Sequence, residues 1–293
     1  MLMVMSVEDI KHIAVAHMKS DPDTVGSAYG FSIAMNMPYF VPDRENPAVD
    51  MILDTYAIKN PIEIDAPLDN LKHIHLLDFH SSVSLHPLLK DAFIDTIIDH
   101  HIEGDLHAPN MVIDPIGATS TLVAEIFPYD MPEDVAIMIG FGICDDTAGG
   151  ILHATERDIN TLKKVSYITG KDTPWFMDKL KEVYLENFKV DADTRTYNIG
   201  GYTITIGHFR VPGALSQERI MREVSEYLWN LSCDLCLYIV SDPEKKESLI
   251  VGKADNPDLL PLLGKLSGTH KLLSRKVDVL PYIKSQIEGG KDE

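Results

Sequence analysis

Short apolar runs at intervals along the first half of the chain give the clearest pattern in the sequence. Residues 13–16, 51–53, 74–77 and 94–98 read as buried strands. Residues 135–139 read as a further strand or as a helix, because a short apolar run does not separate the two. Between these runs, residues 26–35, 83–91 and 119–127 have helical character. Strands alternating with helices predict an α/β domain with a largely parallel sheet flanked by helices. Residues 156–190 predict two helices broken near Gly170 and Pro174.

The second half has a different rhythm. Residues 191–196 are polar and aperiodic, 202–209 alternate like a strand, and 216–231 place Ile220, Val224, Leu228 and Leu231 on one helical face. Residues 235–240 and 249–251 read as strands joined by a polar turn at 242–246. The expected organisation is a first domain over 1–190, a linker over 191–198 and a smaller α/β domain over 199–293, with residues 289–293 frayed. No internal repeat or low-complexity tract interrupts it.

Bulk composition narrows the classes. The 293 residues are 45% apolar, enough to fill the cores of two ordinary domains. No apolar run approaches the roughly 18 residues that cross a bilayer, and the apolar start at residues 1–5 lacks the basic flank of a signal peptide. A cytoplasmic protein without a membrane partner is expected. The formal charge of −19 argues against a long nucleic-acid track, which needs a basic surface, but leaves room for a small anion held by bound cations. The three cysteines give no disulfide framework, and Cys233 and Cys236 are expected to be ordinary semi-buried thiols.

Chemistry concentrates in four clusters: His17 with Asp21 and Asp23, then Asp78, then Asp99-His100-His101, and Asp145-Asp146. The first three each follow an apolar run directly. Carboxyl ends of parallel strands form the crevice where α/β folds bind ligands, so the clusters are expected to converge. Carboxylates with imidazoles favour divalent ions such as Mn²⁺, Fe²⁺, Co²⁺ or Zn²⁺. Two such ions can stabilise both the attacking and the leaving oxygen of a phosphoryl transfer. Taken singly, an Asp after a strand is more often a helix cap. His12, His73, His75, His86 and His107 have no catalytic part in this reading.

These residues resemble the motifs of the DHH phosphohydrolase superfamily. Asp99-His100-His101 is similar to its eponymous triplet, and His17, Asp21 and Asp23 keep the spacing of its first motif, followed by Gly26-Ser27. Asp78 matches the strand-ending Asp of the second motif. Gly142-Ile-Cys-Asp-Asp146-Thr147 looks like the fourth, favouring Asp146 over Asp145, and Gly117-Ala-Thr-Ser120 resembles the family's small-residue helix start. The resemblance implies one metal on His17, Asp21 and Asp78, and another on Asp23, Asp78, His100 and Asp146, with Asp78 bridging. It implies that His101 faces the substrate phosphate and that Asp99 orients a histidine or caps the strand end.

In the second half, Ser274-Arg275-Lys276 and the residues 234–249 are similar to the last domain of family II (manganese-dependent) inorganic pyrophosphatases. That resemblance implies an active site in a cleft between two domains, two Mn²⁺ or Co²⁺ ions with Mg²⁺ on the substrate, and a homodimer. Arg275, Lys276 and Arg195 would bind substrate there. The implied reaction is hydrolysis of pyrophosphate or short polyphosphate by a hydroxide bridging two metals. Two departures are visible: Thr147-Ala-Gly-Gly150 after the last ligand, and Val277-Asp278 where the family has Lys-Gln. The second places a negative charge beside the expected phosphate site. The alternatives are a phosphodiesterase or phosphatase for short nucleotides (oligoribonucleotides, phosphoadenosine phosphate, cyclic dinucleotides) and a non-catalytic nucleotide-binding regulator.

Overall fold

The computed structural model describes residues 10–65, 71, 73–127, 129–191 and 193–289, the side chain of Lys276 excepted. The readings for residues 1–5 and 290–293 fall outside that set. The chain divides into two compact units, Met1–Val183 and Tyr184–Glu293. Among the described residues no helix is long and apolar enough to cross a membrane.

The first unit contains β1 (His12–Val15), α1 (Pro22–Ala34), β2 (Tyr39–Phe40), α2 (Pro47–Tyr56), β3 (His73–Leu77), β4 (Phe93–Asp99), β5 (Asn110–Ile113), α3 (Thr119–Ala124), α4 (Glu133–Thr147), α5 (Glu156–Thr169) and α6 (Thr173–Glu186). Its sheet runs β2-β1-β3-β4-β5, and every pair is parallel. Ile13, Val15, Ile74, Leu76 and Ile97 form a buried apolar face, packed by Leu85, Leu88 and Leu89. Each such side chain, fully buried, contributes roughly 1.5–3 kcal/mol. Helix α1 packs on β1 and β3: the Thr24 hydroxyl donates to Leu77 O at 2.9 Å, and Phe31 lies 5.4 Å from the His75 ring. Helices α1 and α4 approach closely because Gly26 has no side chain; a Cβ there would sit 2.7 Å from Met138 O.

Two local expectations are corrected and a third is decided. Residues 51–53 belong to α2, not to a strand. Asn46 accepts the Ala48 N–H and Pro47 opens the helix, so Val49, Ile52 and Leu53 bury one helical face. Residues 83–91 hold two 3₁₀ turns, Ser82–Ser84 and Pro87–Leu89, with Leu85 and His86 extended between them. Pro87 pushes the residue before it out of the helical region. Residues 135–139, left open between strand and helix, are helical and lie inside α4.

The second unit contains β6 (Thr194–Ile199), β7 (Tyr202–Arg210), α7 (Glu218–Asn230), β8 (Leu235–Asp242), β9 (Glu247–Ala254), α8 (Leu260–Leu266), β10 (Gly268–Lys271) and α9 (Leu280–Glu288). Its sheet runs β10-β9-β8-β7-β6; β7 and β8 are parallel and the other pairs antiparallel. The central strand β8 is buried along its whole length. Ile220, Val224 and Leu228 of α7 pack with Cys236, Tyr238 and Val240 on one face. Leu235, Leu237 and Ile239 meet α8 and α9 on the other. From Thr194 onward the segment expected as a linker is an edge strand, paired with β7 from Thr194↔Gly207 to Ile199↔Tyr202. Its polar residues fit there because only Ile199 is buried. Cys233 and Cys236, expected as ordinary semi-buried thiols, are buried side by side. The turn before β8 brings their Cα atoms to 6.0 Å, against the same apolar cluster.

Candidate metal centre

The parallel strands of the first unit deliver the polar clusters to their carboxyl ends. After β1, the His17 N–H donates to Thr24 Oγ1 at 3.1 Å, and His17 Nδ1 lies 2.9 Å from Met18 O. That leaves Nε2 facing Asp21 Oδ2 and Asp78 Oδ2, each at 3.5 Å. Asp21 is the N-cap of α1, accepting the Thr24 N–H at 3.0 Å through its other oxygen. Asp23, in the first turn of α1, is fully buried and accepts the Thr119 and Ser120 N–H groups at 2.7 and 2.8 Å. Two unpaired amides at the start of α3 thus fix this carboxylate.

Asp78 ends β3 with φ +70°, a left-handed conformation that re-aims its side chain. It is 1% exposed. Oδ1 accepts the Thr119 hydroxyl at 2.8 Å and lies 3.5 Å from His100 Nε2, while Oδ2 faces His17. His100 is held by its N–H to Thr119 Oγ1 at 3.1 Å and by Nδ1 donating to Ile116 O at 3.0 Å. With Nδ1 carrying the proton, Nε2 is a lone-pair donor, 3.3 Å from Asp146 Oδ2. Asp145 and Asp146 occupy the last turn of α4, where the helix dipole is already negative.

The six residues named as ligands therefore fall into two groups whose donor atoms lie within 4.8 Å of one another: His17, Asp21 and Asp78, and Asp23, His100 and Asp146. Divalent ions fit this arrangement. His100 Nε2 is buried without a hydrogen-bond partner among the described residues, aimed at two carboxylates. Burial, then the charges of Asp78 and Asp146, push the Asp23 carboxyl well above its usual range. Burial opposes protonation of His17, yet Asp21 and Asp78 outweigh it and raise its basicity well above the ordinary value. Protons thus collect where positive charge is wanted.

Asp99 has a different surrounding. Completely buried, it receives His80 Nδ1 at 2.5 Å, His101 Nδ1 at 2.8 Å and the His101 N–H at 3.0 Å. Burial alone would raise its pKa, but these donors win and bring it down to about 2. His101, its Nδ1 held by Asp99, also lies 3.9 Å from Asp78 Oδ1. His80 is a participant that the sequence reading missed. Its signal was present in Asp78-Phe-His80, two residues past a candidate ligand.

In the second unit, Arg275 is 4% exposed and grips Asp193: Nη1 donates to the backbone carbonyl and Nη2 to the carboxylate, both at 2.7 Å. Its Nε is buried without a hydrogen-bond partner among the described residues. Arg195, half exposed, reaches the same carboxylate at 3.8 Å. These two residues, 80 apart in sequence, are thus neighbours across Asp193. The Lys276 side chain lies outside the described residues. Asp278 accepts the Ser274 N–H at 2.7 Å, so the carboxylate that departs from the family pattern serves the local turn.

The parallel sheet carries two histidine–carboxylate groups at its carboxyl ends, an arrangement that could hold divalent ions. Residues 11–143 match the model of the DHH family, N-terminal domain. Over 93% of its length the chain is 23% identical to a Lactococcus lactis protein described as a probable manganese-dependent inorganic pyrophosphatase, of which 97% is covered. A Streptococcus thermophilus protein of the same description is 22% identical over 93% of this chain and 97% of its own. A crystal structure of a Methanococcus jannaschii chain assigned to the family II inorganic pyrophosphatases superposes with TM-score 0.73 at 20% identity. It covers 95% of this chain and 100% of its own. The fold is therefore shared along both units.

Proposed function

We propose that the chain is a divalent-metal-dependent phosphohydrolase whose substrate is a small phosphoanhydride, inorganic pyrophosphate or short polyphosphate. The observation that carries this reading is Asp78, whose two oxygens face His17 and His100 on opposite sides within two adjoining ligand groups. The names of the curated relatives support manganese as the metal and pyrophosphate as the substrate class. The mixed nitrogen and oxygen donors suit Mn²⁺ or Co²⁺.

Two divalent ions bound there would supply an activated water and neutralise charge on the attacking and leaving oxygens. His17, Asp21 and Asp78 would hold one; Asp23, Asp78, His100 and Asp146 would hold the other. Thr119 fixes two of these candidate ligands, donating to Asp78 and accepting from the His100 N–H. Asp99 accepts from His101 Nδ1 and orients the ring, which leaves Nε2 as the atom that would meet a phosphate oxygen. Arg275, Lys276 and Arg195 bind the phosphate groups, Arg275 exchanging the Asp193 carboxylate for a phosphate of similar geometry.

The test is phosphate release from pyrophosphate, and cleavage of a short dinucleotide, by metal-loaded protein with Mn²⁺. Pyrophosphate turnover is expected, with Asp78→Ala reducing it by at least ~100-fold. Brisk dinucleotide cleavage without pyrophosphate turnover would move the assignment to the nucleotide phosphodiesterases. Wild-type turnover by Asp78→Ala would remove the metal site as its basis.

A further inference from the structure

The amino ends of the same strands gather a second set of donors that the phosphohydrolase reading does not use. His12 opens β1 and His73 opens β3, and the two are register partners. Two residues along β3, His75 points to the same face. The β3–β4 ladder pairs Ile74 with Ile94 and then skips to His75 with Thr96, leaving Asp95 as the extra residue of a bulge. Regular alternation would put Asp95 on the side of Ile97, which lies in the apolar core. The bulge instead turns it toward the histidines.

The result is compact. The His12 and His73 rings stack at 4.5 Å, and the His75 ring centre lies 5.6 Å from that of His12. His12 Nδ1 is 3.3 Å from His75 Nε2, and His73 Nδ1 is 3.9 Å from Asp95 Oδ1. His12, His73 and Asp95 each present a donor atom within 4.8 Å of the others. Donors around a tetrahedral ion with bonds of about 2.0–2.1 Å stand roughly 3.4 Å apart, so small side-chain shifts would complete the polyhedron.

Hydrogen bonding does not account for the cluster. His73 Nδ1 and His75 Nδ1 are buried without hydrogen-bond partners among the described residues, and His75 is only 5% exposed. Burial also lowers its basicity, keeping the ring neutral and its lone pair available. Three imidazoles around one carboxylate leave more lone pairs than donors, a mismatch that a cation resolves.

We propose that His12, His73 and Asp95, with His75 as a fourth ligand, bind a borderline divalent ion of the Zn²⁺, Co²⁺ or Ni²⁺ class. The site joins the amino ends of β1, β3 and β4. It is separate from the candidate centre: the five residues from His12 to His17 place the two roughly 16 Å apart at ~3.3 Å per residue.

The experiment uses the full chain carrying Asp78→Ala and Asp146→Ala, which weakens the first centre, stripped by chelator and titrated with Zn²⁺ in a calorimeter. Adding His73→Ala should lower the stoichiometry by one equivalent. Co²⁺ should give the intense visible absorption of a four-coordinate ion in the parent chain and not in the His73→Ala chain. Circular dichroism checks the fold. Should His73→Ala fail to fold, Asp95→Asn and the exposed His12→Ala carry the test, each expected to weaken Zn²⁺ binding at least ~10-fold. Equal stoichiometry and affinity in parent and variants overturns the proposal. The readout is metal binding in a chain disabled for turnover, so its failure is distinct from failure of the phosphohydrolase reading.

Discussion

Replacing Asp99 by Asn changes one atom type at the most enclosed carboxylate of the site. Asp99 accepts from both His80 Nδ1 and His101 Nδ1. An amide has one oxygen, so one of the two rings would meet an NH₂ group and have to change its tautomer. The hydrogen bonds bring the carboxyl from 3.8 to about 2. At ~1.36 kcal/mol per unit, that is about 2 kcal/mol of differential stabilisation spread over the His80–Asp99–His101 network. The folded pKa lies below the unfolded one. This contribution is therefore fully present above roughly pH 4 and is lost as pH falls toward 2. In a Trp229→Phe background, urea unfolding followed by Trp175 fluorescence reads the first unit, because Trp175 packs on Phe141 and Tyr56 there. In chelator-stripped protein, Asp99→Asn should cost about 2 kcal/mol at pH 7, and the deficit should shrink steadily below pH 4. Turnover with Mn²⁺ should fall by ~10–100-fold. A deficit equal at pH 7 and pH 3, or unchanged turnover, would refute the argument that an ionised Asp99 holds the two histidines.

Gly142→Ala should destabilise the first unit by ~1–3 kcal/mol and weaken Mn²⁺ binding, because its Cβ would sit 2.3 Å from Ser120 Oγ and 3.0 Å from the Asp23 Cα; equilibrium dialysis and thermal melts check both. His208 is pushed well below its ordinary pKa, first by burial and then by Arg210 and Arg275. Its folded pKa being lower than its unfolded one, the second unit should lose stability as pH falls through about 6.5, and His208→Gln should flatten that dependence in pH-resolved unfolding. Arg275→Ala should raise KM for pyrophosphate more than it lowers kcat, and should also destabilise the second unit by stranding Asp193; steady-state kinetics with a melt separate the two effects.

The candidate site was more legible in the sequence than the local elements around it. His17, Asp21 and Asp23 share one strand-to-helix junction, so spacing alone places them on adjoining turns. Asp78 and Asp99-His100-His101 follow the apolar runs that became β3 and β4. Residues 51–53 misled because three apolar residues carry no period; the helix was written instead in Asn46 and Pro47. Edge strand β6 was illegible because an exposed edge buries almost nothing and leaves no alternation. The hold of Asp193 on Arg275 spans 82 residues, and no local pattern encodes a contact of that range. His80 lay in plain view, but its role depends on Asp99 nineteen residues on.

Asp78 is filtered twice, once by its backbone and once by its charge. A φ of +70° admits Gly, Asn and Asp far more readily than other residues. The proposed metal centre requires an anionic oxygen on each side. Glu satisfies the charge and not the torsion; Asn and Gly satisfy the torsion and not the charge. One amino acid passes both filters. As the rest of the chain drifts, that position has nowhere to go, and a duplicate of this protein released from its chemistry would be expected to show it there first.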